Sequence, residues 1–209
     1  QSCLNSATAS GCEVCSFTGI AGRTLMAESL RVTNRQYTFD QSNIDTFLPR
    51  QLLIKHGGVS IKDMKFINNK IYISVTDEIK KDCWTMSILE ADFNYENLNF
   101  KRLFSPSECI EKYKSWNNEF SWHQTGGRIF KFSDTEVLFS TGEYRNRELA
   151  QDRDSVFGKI LKVNLINGSH EVIAMGLRNP QGLFYDNYNN LILLTEHGTI
   201  GGDEFNLID

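Results

Sequence analysis

Residues 176–208 read GLRNPQGLFYDNYNNLILLTEHGTIGGDEFNLI, and this stretch decides the fold. Gly182–Tyr185 and Leu191–Thr195 are short apolar runs on either side of the polar segment 186–190, the pattern of a β-hairpin. The turn Arg178-Asn179-Pro180-Gln181 and the turn Glu196-His197-Gly198 stand at the two chain ends of that hairpin, which gathers polar groups on one rim of a sheet. Arg178 offers a fixed fork of donors for a carboxylate, and Asn179 and Gln181 offer amides. Backbone around Gly198, Gly201 and Gly202 can expose carbonyls to a hard cation.

Working outward, the same hairpin-plus-hairpin unit recurs upstream. Met64–Ile67 and Ile71–Val75 flank an Asn68-Asn69 turn, followed by an outer pair, Met86–Phe93 and Leu98–Phe104, turning at 94–97. Next come Arg128–Phe132 and Val137–Ser140 around Ser133-Asp134, then Lys159–Leu165 and Glu171–Ala174 around Asn167-Gly168. Asn-Gly at that turn is the strongest short hairpin signal in the chain. The copies start near residues 63, 127 and 181, and the third breaks off after a strand at Glu204–Ile208. Four strands per unit at this period is the signature of propeller blades, so the chain reads as all-β with about three blades. Helical periodicity is weak; Asn146–Asp154 has room for a turn or two. Tyr37-Thr38-Phe39 and Gln51–Lys55 read as strands of a preceding blade.

Three blades cannot close a ring and leave bare flanks. The expected layout is an amino-terminal cysteine-containing segment over residues 1–50 and an incomplete propeller over 51–209, about half of a larger protein, with self-association or a three-blade remnant as alternatives.

Taken with three further strings, the sequence resembles the soluble pyrroloquinoline-quinone-dependent glucose and aldose-sugar dehydrogenases, six-bladed β-propellers grouped with the sorbosone dehydrogenases. The strings are His123-Gln124-Thr125-Gly126-Gly127-Arg128, Gly158-Lys159-Ile160-Leu161 and Asp203-Glu204-Phe205-Asn206-Leu207-Ile208, in family order and at nearly family spacing. The resemblance implies a quinoprotein that oxidises the anomeric hydroxyl of an aldose to a lactone, with calcium, a sugar substrate and an external electron acceptor. A homodimer is compatible with it. A non-catalytic propeller that binds a protein or glycan, as in hedgehog-interacting proteins, is the alternative on the same scaffold.

Under this resemblance His123 is the general base, a role suited to an imidazole, which ionises near neutrality. Glu143 stands where the family has an aspartate that orients the histidine. It is one methylene longer, and the plain hairpin reading puts it at the opposite end from His123 unless the turn carries it inward. Arg178 and Asn179 match cofactor contacts, Arg178 also counting among the catalytic residues, and His197 lies at a cofactor-contacting position. Gly198 and Thr199 fall where calcium is bound through carbonyls, Thr199 replacing the usual proline. Asp203 and Glu204 match an acidic pair near a second calcium. Each also has a plain reading: a rim histidine, a solvated loop acid, or an arginine tying two blades.

The 22 basic and 26 acidic side chains give a formal charge of −4 without a block of one sign, which argues against nucleic acid and anionic membranes as partners. No apolar run approaches the roughly 18 residues a spanning helix needs. The sequence opens with Gln1 and shows no leader, so a secretory signal is either removed or outside this sequence. Of five cysteines, Cys83 and Cys109 flank a strand pair. Bridged, they would contribute about 3 kcal/mol and place the protein in an oxidising, periplasmic or secreted setting; unpaired, they are half-buried thiols. Cys12 and Cys15 have CxxC spacing with no second half of a zinc set, so a local disulfide or an untidy tail, with Cys3 nearby, is the reading there.

Overall fold

The computed structural model describes residues 41–56, 58–94, 97–114, 119–198 and 202–209. The readings at Cys3, Cys12, Cys15, Tyr37–Phe39 and Thr199 lie outside the described residues. The described residues begin with β1 (Gln41–Ser42), α1 (Ile44–Phe47) and α2 (Arg50–Lys55). The expected strand at Gln51–Lys55 is therefore a helix. Pro49 stands just before its first residue, where a missing N–H costs nothing, and the turn buries Leu53 in the core with Ile44 and Leu48.

Three antiparallel sheets follow. The first orders β2 (Ile61–Ile67), β3 (Lys70–Lys80), β4 (Cys83–Asp92) and β6 (Lys101–Phe104), with β7 (Ile110–Glu111) pairing the near end of β4. Between β4 and β6, β5 (Asn97–Leu98) leaves the sheet to pair in parallel with β1. The β2–β3 turn places Asn68 and Asn69 at φ 50° and 61°, the left-handed pair that a two-residue hairpin needs and that asparagine tolerates.

The second sheet runs β8 (Gly126–Lys131), β9 (Glu136–Thr141), β10 (Lys159–Asn164) and β11 (His170–Met175), each paired to the next; α3 (Arg147–Gln151) lies between β9 and β10. The third holds β12 (Pro180–Asp186), β13 (Leu191–Glu196) and β14 (Glu204–Ile208).

Side-chain alternation explains why these sheets stack as blades. Along β9, Val137 and Phe139 enter the core shared with the first sheet, whereas Leu138 enters the core shared with the third. Leu161 and Val163 against Ile160 repeat the division on β10. A strand with both faces covered must be apolar at consecutive positions, which is the reason these runs lack a polar face. Truncating a side chain such as Phe139 to alanine costs about 3–5 kcal/mol in a core of this kind.

The first strands gather on one side. β8 packs against β2 on one flank and β12 on the other. Arg128 on β8 joins all three: its Nε donates to the Gln181 carbonyl on β12 and its Nη1 to the Lys62 carbonyl on β2, at 3.2 Å. Asp63 Oδ2 accepts the Ile129 N–H at 2.9 Å. Three sheets radiating from adjacent inner strands are the propeller arrangement.

Candidate active site at the mouth of the blades

In each blade the inner strand starts, and the second strand ends, at the same rim. Gly126 at the start of β8 faces Thr141 at the end of β9, and Pro180 at the start of β12 faces Glu196 at the end of β13. This corrects the reading that set Glu143 opposite His123. An antiparallel hairpin brings its second strand back to where the first began, so Glu143 emerges beside the 121–125 turn. Backbone bonds fix that meeting: Gly142 N–H donates to Thr125 O (2.7 Å), Tyr144 N–H to Gln124 O (2.9 Å) and Glu143 N–H to Arg178 O (3.0 Å). Tyr144 and Arg145 both have positive φ, 52° and 70°. Such a costly pair of conformations persists only where surroundings impose it, and the three bonds do so.

Gly127 on the inner strand sits at φ +107°, and a Cβ there would meet Lys62 Cβ at 2.5 Å, so glycine is required for β8 to approach β2. Lys62 Nζ in turn donates to Gly58 O at 2.8 Å and Trp122 O at 3.4 Å. The peptide preceding His123 is thereby tied to the first blade.

Arg178 is the junction of the site. Its backbone N–H donates to Glu196 Oε2 at 2.7 Å, and its Nη1 donates to the carbonyls of His197 (2.8 Å) and Gly198. With the Gln124 amide oriented to place its oxygen toward the cations, that oxygen accepts from Arg178 Nη2 at 2.9 Å and Arg145 Nε at 3.3 Å. Arg178 Nε lies 3.8 Å from Glu143 Oε1 and has no hydrogen bond among the described residues. Burial raises the pKa of the Glu143 carboxyl above its ordinary value, against the pull of Arg178 and Arg147. Glu196 is raised too, again by burial first, although the Arg178 and Asn179 N–H groups oppose it.

The other expected residues divide. His123 is exposed at this mouth; its N–H donates to Ser121 Oγ at 3.3 Å, while its imidazole makes no hydrogen bond among the described residues, to Glu143 or otherwise. Glu143 is instead paired with Arg178. Asn179 is buried and turned inward: its Oδ1 accepts the Gly126 N–H (3.1 Å) and the Gln181 Nε2–H (2.8 Å), so it braces two inner strands. His197 is exposed, its Nδ1 3.3 Å from Asp203 Oδ2, and Asp203 Oδ1 accepts the Gly198 N–H at 3.2 Å. Glu204 engages Asn206 Nδ2 at 3.2 Å, and that amide also donates to Glu196 Oε1. Asp203 and Glu204 therefore serve different neighbours. Among the described residues no three His, Cys, Asp or Glu side chains cluster as a metal site. Gln124, Arg145, Lys62 and Glu196 were not singled out from sequence, although Gln124 lies within the HQTGGR string and Glu196 opens the Glu196-His197-Gly198 turn.

The sequence profile of the Glucose / Sorbosone dehydrogenase family matches residues 57–209, which is most of the chain and includes every part of this mouth. The chain belongs to the glucose/sorbosone dehydrogenase family. Among relatives, it is 34% identical over 128 residues to an uncharacterized protein of Synechocystis sp., covering 47% of this chain and 31% of that protein. It is 30% identical over 95 residues to the aldose sugar dehydrogenase YliI of Escherichia coli, covering 39% of this chain and 26% of that enzyme.

Solved structures share the propeller fold. The PQQ-bound aldose sugar dehydrogenase of Streptomyces coelicolor matches with a TM-score of 0.63 at 22% identity, over 85% of this chain and 51% of that one. The apo-form of the soluble aldose sugar dehydrogenase of Escherichia coli matches with a TM-score of 0.61 at 20% identity, over 74% and 48%. The chain thus spans about half the length of these family structures and less of the relatives found by sequence.

Proposed function

We propose that this chain forms part of a quinoprotein sugar dehydrogenase that oxidises the anomeric C1 hydroxyl of an aldose to the lactone. The observation that carries this reading is the convergence on Arg178. One guanidinium, loops from two blades, a buried carboxylate and the turn bearing an exposed imidazole meet at one mouth.

The residues fit an anionic quinone on one count, since Arg178 Nε is a buried donor with no hydrogen-bond acceptor among the described residues, and Arg145 adds a second cation on the same Gln124 amide. Arg178, with Arg145 beside it, would hold the carboxylates of pyrroloquinoline quinone, and His197 would stand at its edge. That cofactor, when bound, supplies the acceptor for the hydride from C1 and later passes the electrons to an external acceptor. His123 takes the hydroxyl proton on its unprotonated ring nitrogen, so the alcohol loses one hydride and one proton. Glu143 balances the charge of Arg178 and fixes its position rather than that of the imidazole.

Calcium fits less well as the groups now stand. The Gly198 carbonyl is taken by Arg178, and Asp203 is engaged by Gly198 N–H and His197, so an ion bound there would require the guanidinium to withdraw. No step is assigned to it. The Cys83–Cys109 disulfide supports a periplasmic or secreted location, since such bonds persist in oxidising compartments. No helix among the described residues is long and apolar enough to cross a membrane.

A second reading, a binding propeller without redox chemistry, is favoured by one observation: Arg178 and Asn179 are both engaged in bracing the blades. The full-length protein, given pyrroloquinoline quinone, calcium, glucose and a dye acceptor, decides between them. Dye reduction that is lost in His123→Ala is expected; absence of any cofactor-dependent absorbance change would leave the binding propeller.

A further inference from the structure

Lys159, in the Gly158-Lys159-Ile160-Leu161 string, has no part in the chemistry above, yet it is a wholly buried cation. Its Nζ donates to three carbonyls, Leu149 at 2.7 Å, Ala150 at 3.0 Å and Phe157 at 2.6 Å. An ammonium has three protons, and here each has its own acceptor. No carboxylate among the described residues hydrogen-bonds it. Two of the carbonyls belong to α3, near the end of a helix where cations are favoured.

The receptor closes the loop that leaves β9 at Thr141 and returns at Lys159. Thr141 Oγ1 donates to Val156 O at 2.6 Å and accepts the Lys159 N–H at 3.1 Å. Gly158, at φ +67°, donates its N–H to Gly142 O and accepts from Leu177 N–H; a Cβ there would meet Leu177 O at 2.4 Å. The ammonium thus sits inside a short circuit of backbone whose two exits are the segments leading to Glu143 and Arg178.

We propose that the Lys159 ammonium is a built-in monovalent cation in a three-carbonyl receptor, and that it positions the 142–158 loop so that Glu143 meets Arg178. The receptor has the chemistry that takes a free alkylammonium or ammonium ion. Carbonyl dipoles supply the field in place of a counter-charge, and burial of the charge lowers the lysine pKa, as expected where desolvation outweighs distant Glu108 and Asp152. Methionine fills the same volume but takes the ammonium from all three carbonyls: those of Leu149 and Ala150 keep only the Asp152 and Gly176 N–H groups, and that of Phe157 loses its charged donor outright, so it cannot substitute.

The test uses the full-length protein without cofactor or sugar, so its outcome is independent of the dehydrogenase reading; only the importance of Glu143 for catalysis rests on that reading. Lys159→Ala is expected to lower Tm by roughly 10 °C. n-Propylammonium chloride, the fragment removed by that substitution, should restore much of the loss, while tetramethylammonium chloride and n-propanol at equal concentration should not. Hydrogen exchange should speed at the amides of Glu143, Asn146 and Leu177 and slow again with n-propylammonium, with amides of β3 and β4 unchanged. Where Lys159→Ala does not fold alone, refolding yield with and without n-propylammonium gives the same comparison. Equal rescue by all three additives, no rescue at all, or a Lys159→Met variant as stable and as protected as the wild type would overturn the proposal.

Discussion

Arg178 Nε, a buried atom, lies 3.8 Å from Oε1 of the buried Glu143, and no hydrogen bond joins them. The pair holds together by charge across a gap that a small rotation would close. Burial is the larger effect on Glu143, raising its pKa despite the arginine. A carboxyl whose folded pKa lies above its unfolded value binds its proton more tightly when folded, so its contribution to stability falls as pH rises from about 4.3 upward. Glu143→Gln keeps the shape and removes the charge. It should raise Tm at pH 7.5 and leave it unchanged at pH 4, as read by calorimetry; an equal shift at both pH values would assign the effect to packing.

Asn179 makes a prediction of the opposite sign. Its Oδ1 serves the buried Gly126 N–H and the Gln181 amide, so Asn179→Ala orphans two donors between the inner strands of two blades. The expected loss is about 2–3 kcal/mol, seen as a lower urea midpoint with an unchanged m-value. A loss under roughly 0.5 kcal/mol would mean that water replaces the amide freely, leaving Asn179 available to a ligand.

The blades were legible in the sequence because a strand covered on both faces must be apolar at consecutive positions, as at Val137, Leu138 and Phe139. Asn68-Asn69 and Asn167-Gly168 marked their turns for a local reason, backbone with positive φ. Gln51–Lys55 misleads because a five-residue run with two adjacent leucines fits a strand or a helix equally, and the packing of Leu53 decides it. The site was half legible. Arg178 and His123 stand in distinctive strings, but the roles of Glu143 and Asn179 depend on which neighbour each meets across about 35 to 55 residues of chain, and no local pattern encodes that. The buried roles of Lys159 and Lys62 have no signal in the sequence, because a lysine in a strand reads as solvated until its amine is seen to face carbonyls.

The Cys83–Cys109 bridge closes a separation of 26 residues and holds the segment whose Glu108 Oε2 accepts the Val156 N–H at 2.8 Å. Constraint of the unfolded chain over a loop of that size contributes about 3.5 kcal/mol in the chain-entropy treatment. The double variant Cys83→Ala/Cys109→Ala should lose about that much in urea denaturation, and reducing agent should destabilise the wild type but not the variant. Insensitivity of the wild type to reductant under denaturing conditions would contradict the bridge.

Lys62 gives the sharpest dependence on pH. Burial first, and the charge of Arg128 second, bring its pKa down to about 8. The two carbonyls it binds, Gly58 and Trp122, favour the charged form without overcoming burial. In the unfolded chain the amine titrates near 10.4, so between about pH 8 and 10.4 the unfolded state holds more protons and stability contributed by this group rises with pH. Below pH 8 the cost of the buried charge is fully present. Lys62→Met removes the titration and leaves a constant offset from the two carbonyls that lose the lysine donor, so the informative quantity is the slope of the difference. Wild-type stability minus that of Lys62→Met should be flat from pH 6 to 7.5 and climb from pH 8 to 10.5. A difference that stays level through that upper range would show that the amine keeps an ordinary pKa and that Arg128 and burial do not govern it.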